Sequence, residues 1–193
     1  MHIKTDHIFS IIIILLTVFS LFFTYNVISF KNRLSISSKN ILIKSGEIVK
    51  AVKIIDGDEV LVTYKNNNFV IRLLGIVSYD PTVNDPQTRH IAKSAMLFLE
   101  NNLINQEIEI IFDEYKVDSK KRLLAYIHKE KKDIGLQMIS NGFSLVYTKY
   151  PFLRMDDYLV SEDKAMLNKR GLWSDSALTS RSLKLKQKWD SEK

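Results

Sequence analysis

The 193-residue chain contains no cysteine. That excludes disulfides, thiolate metal centres and cysteine nucleophiles, and it leaves the redox compartment open. Histidine is scarce: His2, His7, His90 and His128 are the whole supply, and none is spaced as HxH or HxxxH. The ligand pattern of a zinc site is therefore missing. No D-x-D-x-D-G run is present, which removes an EF-hand loop. Internal repeats and low-complexity arrays are absent too, so a solenoid is excluded. Acidic charge is in mild deficit, with 28 Lys and Arg against 22 Asp and Glu, a net charge of +6. Such an excess favours acidic partners without separating nucleic acid from an anionic membrane surface.

What is present begins with "IFSIIIILLTVFSLFFTYNVISF", residues 8–30, a run of 23 residues without a charge. As a helix it would be roughly 34 Å long, enough to cross a hydrocarbon core of about 30 Å. Residues 1–30 are thus expected to be a membrane anchor, the alternative being a cleaved signal peptide. The run exceeds the usual signal core, and no A-x-A site follows it. Lys4 precedes the run, whereas Lys31, Arg33, Lys39 and Lys44 follow. Counting basic residues keeps the downstream chain cytoplasmic; a signal-like segment would export it. Residues 31–46 read as a basic, Ser-rich linker. From residue 176 to 193 the chain reads as a frayed basic tail, or as a weak phosphate or lipid contact.

Between linker and tail, strand signals come first. "EIVKAVKII" and "EVLVTYK" flank Asp56-Gly57-Asp58, a turn signal, and a second turn leads into "FVIRLLGIV". Three such strands make an antiparallel meander. Ile91, Ala95, Leu99 and Leu103 then recur four apart, as on one face of a helix. "EIEIIFDE" and "KRLLAYIHK" alternate like strands, and two further helices follow, with stops expected at Gly142 and Gly171. Five strands with an interposed helix predict an α+β fold, mainly β: a five-stranded OB-type barrel with about three packed helices, preceded by the hydrophobic helix.

Candidate chemistry sits on this frame. Asp56 and Asp58 flank a glycine, so their carboxylates can converge on a hard cation such as Ca²⁺ or Mg²⁺, or they can simply make a hairpin turn. Arg72 stands inside an apolar strand, where a guanidinium needs a carboxylate partner or an external anion. Arg122 opens another strand and could equally be surface. Two arginines beside a carboxylate cluster would make a phosphate clamp, since the guanidinium fork pairs bidentately with phosphate oxygens.

"IIDGDEV", "IRLLGI", "DSKKRLLAYI", "LQMISNGFSLV" and "KRGLW" occur in this order. In sequence and spacing they resemble the staphylococcal-type thermonuclease family, over roughly residues 48–175. The resemblance implies an OB-fold nuclease that cleaves single-stranded DNA or RNA with Ca²⁺. It places Asp58 on a calcium ligand, Asp56 on its acidic neighbour, Arg72 on the arginine that binds the scissile phosphate, and Arg122 on the second catalytic arginine. Tyr150, with Tyr147 beside it, lies near a tyrosine that stacks on the nucleotide, although both could merely pack. Trp173 matches the family's tryptophan and reads as core. The expected partners are single-stranded nucleic acid and, through residues 8–30, a membrane; the expected state is a monomer.

One corner departs from the family pattern. Where members carry Asp-(Thr/Ala)-Pro-Glu, this chain has Val77, Ser78, Tyr79 and Asp80. Val77 cannot bind a cation, and Asp80 is one methylene shorter than the water-activating glutamate it replaces. Asp85 is a candidate substitute ligand. Three readings stand: an anchored or exported nuclease weakened at this corner, a nucleic-acid-binding module that has lost hydrolysis, and a membrane-bound protein scaffold.

Overall fold

The computed structural model describes residues 5–34 and 43–192, with side chains over 12–26 and 43–192. Two compact units result, Met1–Ile36 and Ser37–Lys193. In the first, helix α1 spans Thr5–Leu34. Its described side chains, including Ile12, Phe19 and Phe23, are exposed. Among the described residues no helix is long and apolar enough to cross a membrane. The proposed span over 8–30 overruns the described side chains at both ends, and residues 35–42 of the proposed linker lie outside the described residues.

The second unit is built on a barrel. Strands β1 (Glu47–Asp56), β2 (Glu59–Tyr64) and β3 (Asn67–Leu73) form the meander. A short β4 (Ile76–Val77) follows, then helix α2 (Pro86–Leu103) and strands β5 (Glu107–Ile111) and β6 (Leu123–Lys129). Strand β1 pairs with both β2 and β5, β5 pairs with β6, and a parallel pairing of β3 with β6 closes the ring. This is the five-stranded closed barrel that the alternation predicts. Val60, Val62, Ile71, Leu73, Ile108, Ile110, Leu123 and Ile127 fill its interior, each at most 1% exposed. Helix α2 covers the barrel with Ile91, Ala95, Leu99 and Leu103, the four-residue stripe read in the sequence.

Beyond the barrel, β7 (Lys132–Asp133) leads into α3 (Ile134–Ser140), β8 (Leu145–Val146) pairs with β4, and α4 (Met155–Leu167) packs on α3. A 3₁₀ turn over Gly171–Ser174 then joins α5 (Ser176–Ser191). Two expectations need correction. Helix α4 stops at Leu167 with Asn168 as its cap, so Gly171 is not its terminus but opens the 3₁₀ turn. The tail is not frayed: Asp175 caps α5, and Leu178 and Ser182 of that helix are buried. Leu178 enters an apolar cluster with Ile91, Leu145, Ala165, Leu172 and Trp173, against which Leu185 and Trp189 also pack. Trp173 is thus core, as read from the sequence.

Gly142 and Gly171 are where the helical layer is drawn together. Gly142 has φ +68°, and a Cβ there would overlap the backbone carbonyl of Arg170. Its own carbonyl accepts a hydrogen bond from the Leu172 N–H at 2.9 Å. Gly142→Ala is therefore expected to exceed the ordinary cost of a left-handed alanine, destabilising the protein by about 2–4 kcal/mol. Urea unfolding of residues 37–193 measures this, and a loss under about 1 kcal/mol would show that the close approach relaxes.

Candidate active site

The β1–β2 hairpin is the foundation of the site. Asp56 pairs with Glu59 in the register, leaving Gly57 and Asp58 as the turn. A side chain at residue 57 would meet Ser78 Cβ at 2.6 Å, so glycine lets the β4 exit lie directly on the turn. Ser78 fixes that approach from its side. Its hydroxyl donates to the Gly57 carbonyl at 2.8 Å and lies 2.6 Å from the hydroxyl of buried Ser144, while its N–H donates to Asp58 Oδ2 at 2.8 Å.

Asp58 is 5% exposed, and its Oδ2 also meets Arg72 Nη1 at 3.1 Å. Burial pushes its pKa up to about 6, against the opposing pull of the Arg72 charge and the Ser78 N–H. Arg72 Nη1 donates as well to the Leu73 carbonyl at 3.1 Å. The arginine inside the apolar strand thus has a protein partner, the first of the two resolutions the sequence leaves open.

Strand register brings Arg122 to the same place. Glu59 lies opposite Arg72 across β2–β3, and Arg72 lies beside Leu124 across β3–β6. Glu59 forms an ion pair with Arg122 Nη1, and Asp118 accepts from Arg122 Nε at 2.7 Å. Burial works against the Arg122 charge, but the Asp118 and Glu59 carboxylates outweigh it and raise the pKa. Glu59 and Asp118 are site residues that sequence pattern does not single out. An acid at a strand end reads as surface, and only the barrel closure sets Glu59 against Arg122.

The acidic candidates are close enough to repel one another. Burial raises the Asp56 pKa, and the charges of Glu59 and Asp80 add to it. Asp80 is exposed and turned on itself: Oδ1 accepts from the Thr82 hydroxyl at 2.6 Å and from its N–H at 2.7 Å, which lower its pKa. Asp85 is no spare ligand. It caps α2, accepting from the Thr88 N–H at 3.1 Å, and it is paired with Arg181 at 2.7 Å. Val77 lies on β4 opposite Leu145 and offers no donor atom. As arranged, these residues do not fit a hard cation, which wants several converging oxygens. Among the described residues no group of three or more His, Asp or Glu could hold a metal.

The tyrosines lie to one side. Tyr147 is half-buried, close enough to feel the Arg72 charge, and it meets Tyr150 and Trp189 edge-on at 6.0 and 5.0 Å between ring centroids. Tyr147 is therefore largely engaged in packing. Tyr150 is 60% exposed, with the Lys149 ammonium over its ring at 5.9 Å from the centroid.

A family model described as staphylococcal nuclease homologue matches residues 70–175, ending where α5 begins. The chain is 22% identical over 127 residues to a thermonuclease of Staphylococcus hyicus, covering 65% of this chain and 75% of that protein. It is 28% identical over 147 residues to an uncharacterized protein of Methanocaldococcus jannaschii, covering 65% and 70%. A thermonuclease of Staphylococcus intermedius is 22% identical over 99 residues, covering 51% and 59%.

The raised pKa of Asp58 carries a sign for stability. Its unfolded value lies near 4, so between about pH 4 and 6 the folded state holds a proton that the unfolded chain releases. Asp58 then lowers stability as pH rises through that window, by roughly 3 kcal/mol in total. Asp58→Asn removes this slope and keeps an oxygen to accept from the Ser78 N–H. Unfolding of residues 37–193 at pH 4.5 and 7.0 should show the parent losing more stability than the variant; parallel losses would place the Asp58 pKa near its usual value.

Proposed function

The chain belongs to the staphylococcal nuclease homologue family, and on that premise we propose that it cleaves phosphodiester bonds of single-stranded DNA or RNA at the Arg72–Arg122 site. The observation that carries this reading is the placement of Arg72 on β3 and of Arg122 just before the adjoining β6, each oriented by carboxylates: Arg72 by Asp58, Arg122 by Glu59 and Asp118. A scissile phosphate would compete for those guanidinium groups, taking their charge as negative charge builds on the phosphorus-bound oxygens. Asp80, an exposed carboxylate near Asp56, is proposed to accept the proton of an attacking water. The water oxygen bonds to phosphorus as one P–O ester bond breaks.

The same geometry argues for slow turnover. A general base works best with a pKa near the operating pH, and the Thr82 hydrogen bonds move Asp80 the other way. Calcium is the ion that the family resemblance implies, and Asp58 and Asp56 are the carboxylates that would hold it. Because they do not converge as arranged, we assign no step to a metal. Residues 8–30 are proposed to tether the domain to a membrane, and the domain to act as a monomer.

A second reading, a module that binds single strands without cleaving them, is favoured by one observation: Val77 stands where the family pattern has a carboxylate. Labelled single-stranded DNA and RNA with Ca²⁺, Mg²⁺, Mn²⁺ or chelator separates the two. The nuclease reading expects cleavage in at least one of these conditions, falling at least 10²-fold in Arg72→Ala and Arg122→Ala. Val77→Asp with Asp80→Glu is expected to raise Ca²⁺-dependent cleavage at least about tenfold, some 1.4 kcal/mol of transition-state stabilisation. Salt-dependent binding without cleavage, weakened in both arginine variants, would establish the binding module. Absence of both binding and cleavage would sink both readings.

A further inference from the structure

Helix α5 lies outside the family-matching segment, yet it touches the loop after β4 and the segment after β8, both on the Arg72 side of the site. Arg181 and Ser182, adjacent on its first half, hold the two ends of the loop that carries Asp80. Ser182 Oγ is 2.8 Å from the Tyr79 hydroxyl at the loop's start. Arg181 Nη1 donates to Asp85 Oδ2 at 2.7 Å and to Thr88 Oγ1 at 2.5 Å at its end. Only residues 80–84 remain between those anchors.

The second half of α5 holds the segment after β8. Trp189 packs its edge on Tyr147, Asp190 accepts from the Thr148 hydroxyl at 3.0 Å, and Glu192 accepts from Lys149 Nζ at 2.5 Å. Between the two groups lies an ionic contact. Lys186 pairs with Glu162, which is 3% exposed and whose Oε1 accepts from the Val146 N–H at 2.8 Å. Breaking a buried pair of this kind leaves an uncompensated charge, so the middle of the helix is firmly seated.

We propose that α5 is a positioning strap for the phosphodiester site, with Arg181 and Ser182 setting the loop that carries Asp80 and Trp189 and Asp190 setting the segment that carries Tyr147 and Tyr150. The proposal rests on the nuclease reading for its consequence in rate, but the strap itself is a property of the loops. A loop pinned at both ends by adjacent residues of one rigid helix presents its carboxylate at a fixed distance from Arg72. Displacement of a reacting group by about 1 Å is worth on the order of 10²-fold in rate. The two halves of α5 therefore have separable effects: the first acts on turnover, the second on substrate binding.

The test uses the full chain in detergent. The variants are Tyr79→Phe with Arg181→Ala, Tyr79→Phe with Arg181→Lys as the conservative control, and Trp189→Leu. Circular dichroism confirms folding, and the Lys186–Glu162 pair is left intact in each. Amide exchange of Thr82, whose N–H is bonded to Asp80, should quicken at least tenfold in the Ala double variant and by clearly less with Lys, which keeps the Asp85 anchor alone. In the same variant kcat should fall at least fivefold with KM within twofold. Trp189→Leu should instead weaken binding of a single-stranded oligothymidylate at least threefold while Thr82 exchange stays unchanged. Thr82 exchange equal to the parent's in the Ala double variant would overturn the strap, whatever the rates. If the parent binds without cleaving, the nuclease reading fails, and the exchange and binding arms still decide the strap.

Discussion

The ion pair between Asp58 and Arg72 is the constraint on which the site depends. A largely buried guanidinium near the end of β3 cannot stand unpaired, and the acid that pairs with it is Asp58 of the β1–β2 turn. That requirement explains the glycine before Asp58, because only a residue without Cβ lets Ser78 settle onto the turn and donate its N–H to the same carboxylate. It also explains why the β4 exit is fixed, and so where Val77 and Asp80 fall. The pair is costly by itself: burial raises the Asp58 pKa to about 6 despite the Arg72 charge beside it. A stable core would not need it. On the proposed reading, its use is to yield a guanidinium to an incoming phosphate.

The second arginine follows the same logic with a different balance. Arg122 is held by two carboxylates, Glu59 and Asp118, and is the more firmly fixed of the two. Arg72 has one carboxylate and a carbonyl. On the proposed reading, a phosphodiester would meet one guanidinium held by two carboxylates and one held by a single carboxylate. The acids that orient these groups repel one another, so the resting site is electrostatically loaded, and either a bound cation or the loss of a carboxylate would relieve it. The substitution of valine at residue 77 is consistent with the latter route.

Much of the frame was legible in the sequence, for specific reasons. The barrel strands alternate cleanly between tight turns, and the α2 stripe of Ile91, Ala95, Leu99 and Leu103 has only one periodic reading. Arg72 announced itself as a charge in an apolar run. What escaped depends on register or on a disguised pattern. Glu59 acquires its partner only when β3 meets β6, a pairing between residues far apart in the chain. Asp85 could have been read as a cap, since Pro86 follows and Thr88 stands at the N3 position. Helix α5 hid because Ser182 interrupts its apolar face; Leu178, Ser182, Leu185 and Trp189 are spaced 4, 3 and 4 apart, and the serine is buried to meet Tyr79. A polar residue serving a buried contact defeats a reading by hydrophobicity alone.

The central claim is that Arg72 exchanges Asp58 for a phosphate when substrate binds. Carboxyl ¹³C titration of Asp58, with and without a saturating single-stranded oligonucleotide and with no metal present, tests it directly. The free protein is expected to titrate near pH 6 at this residue. With the oligonucleotide bound the value should rise further, because the carboxylate loses its cation and gains an anionic neighbour. An unchanged value on saturation would mean that Arg72 never leaves Asp58, and that the phosphate is held elsewhere.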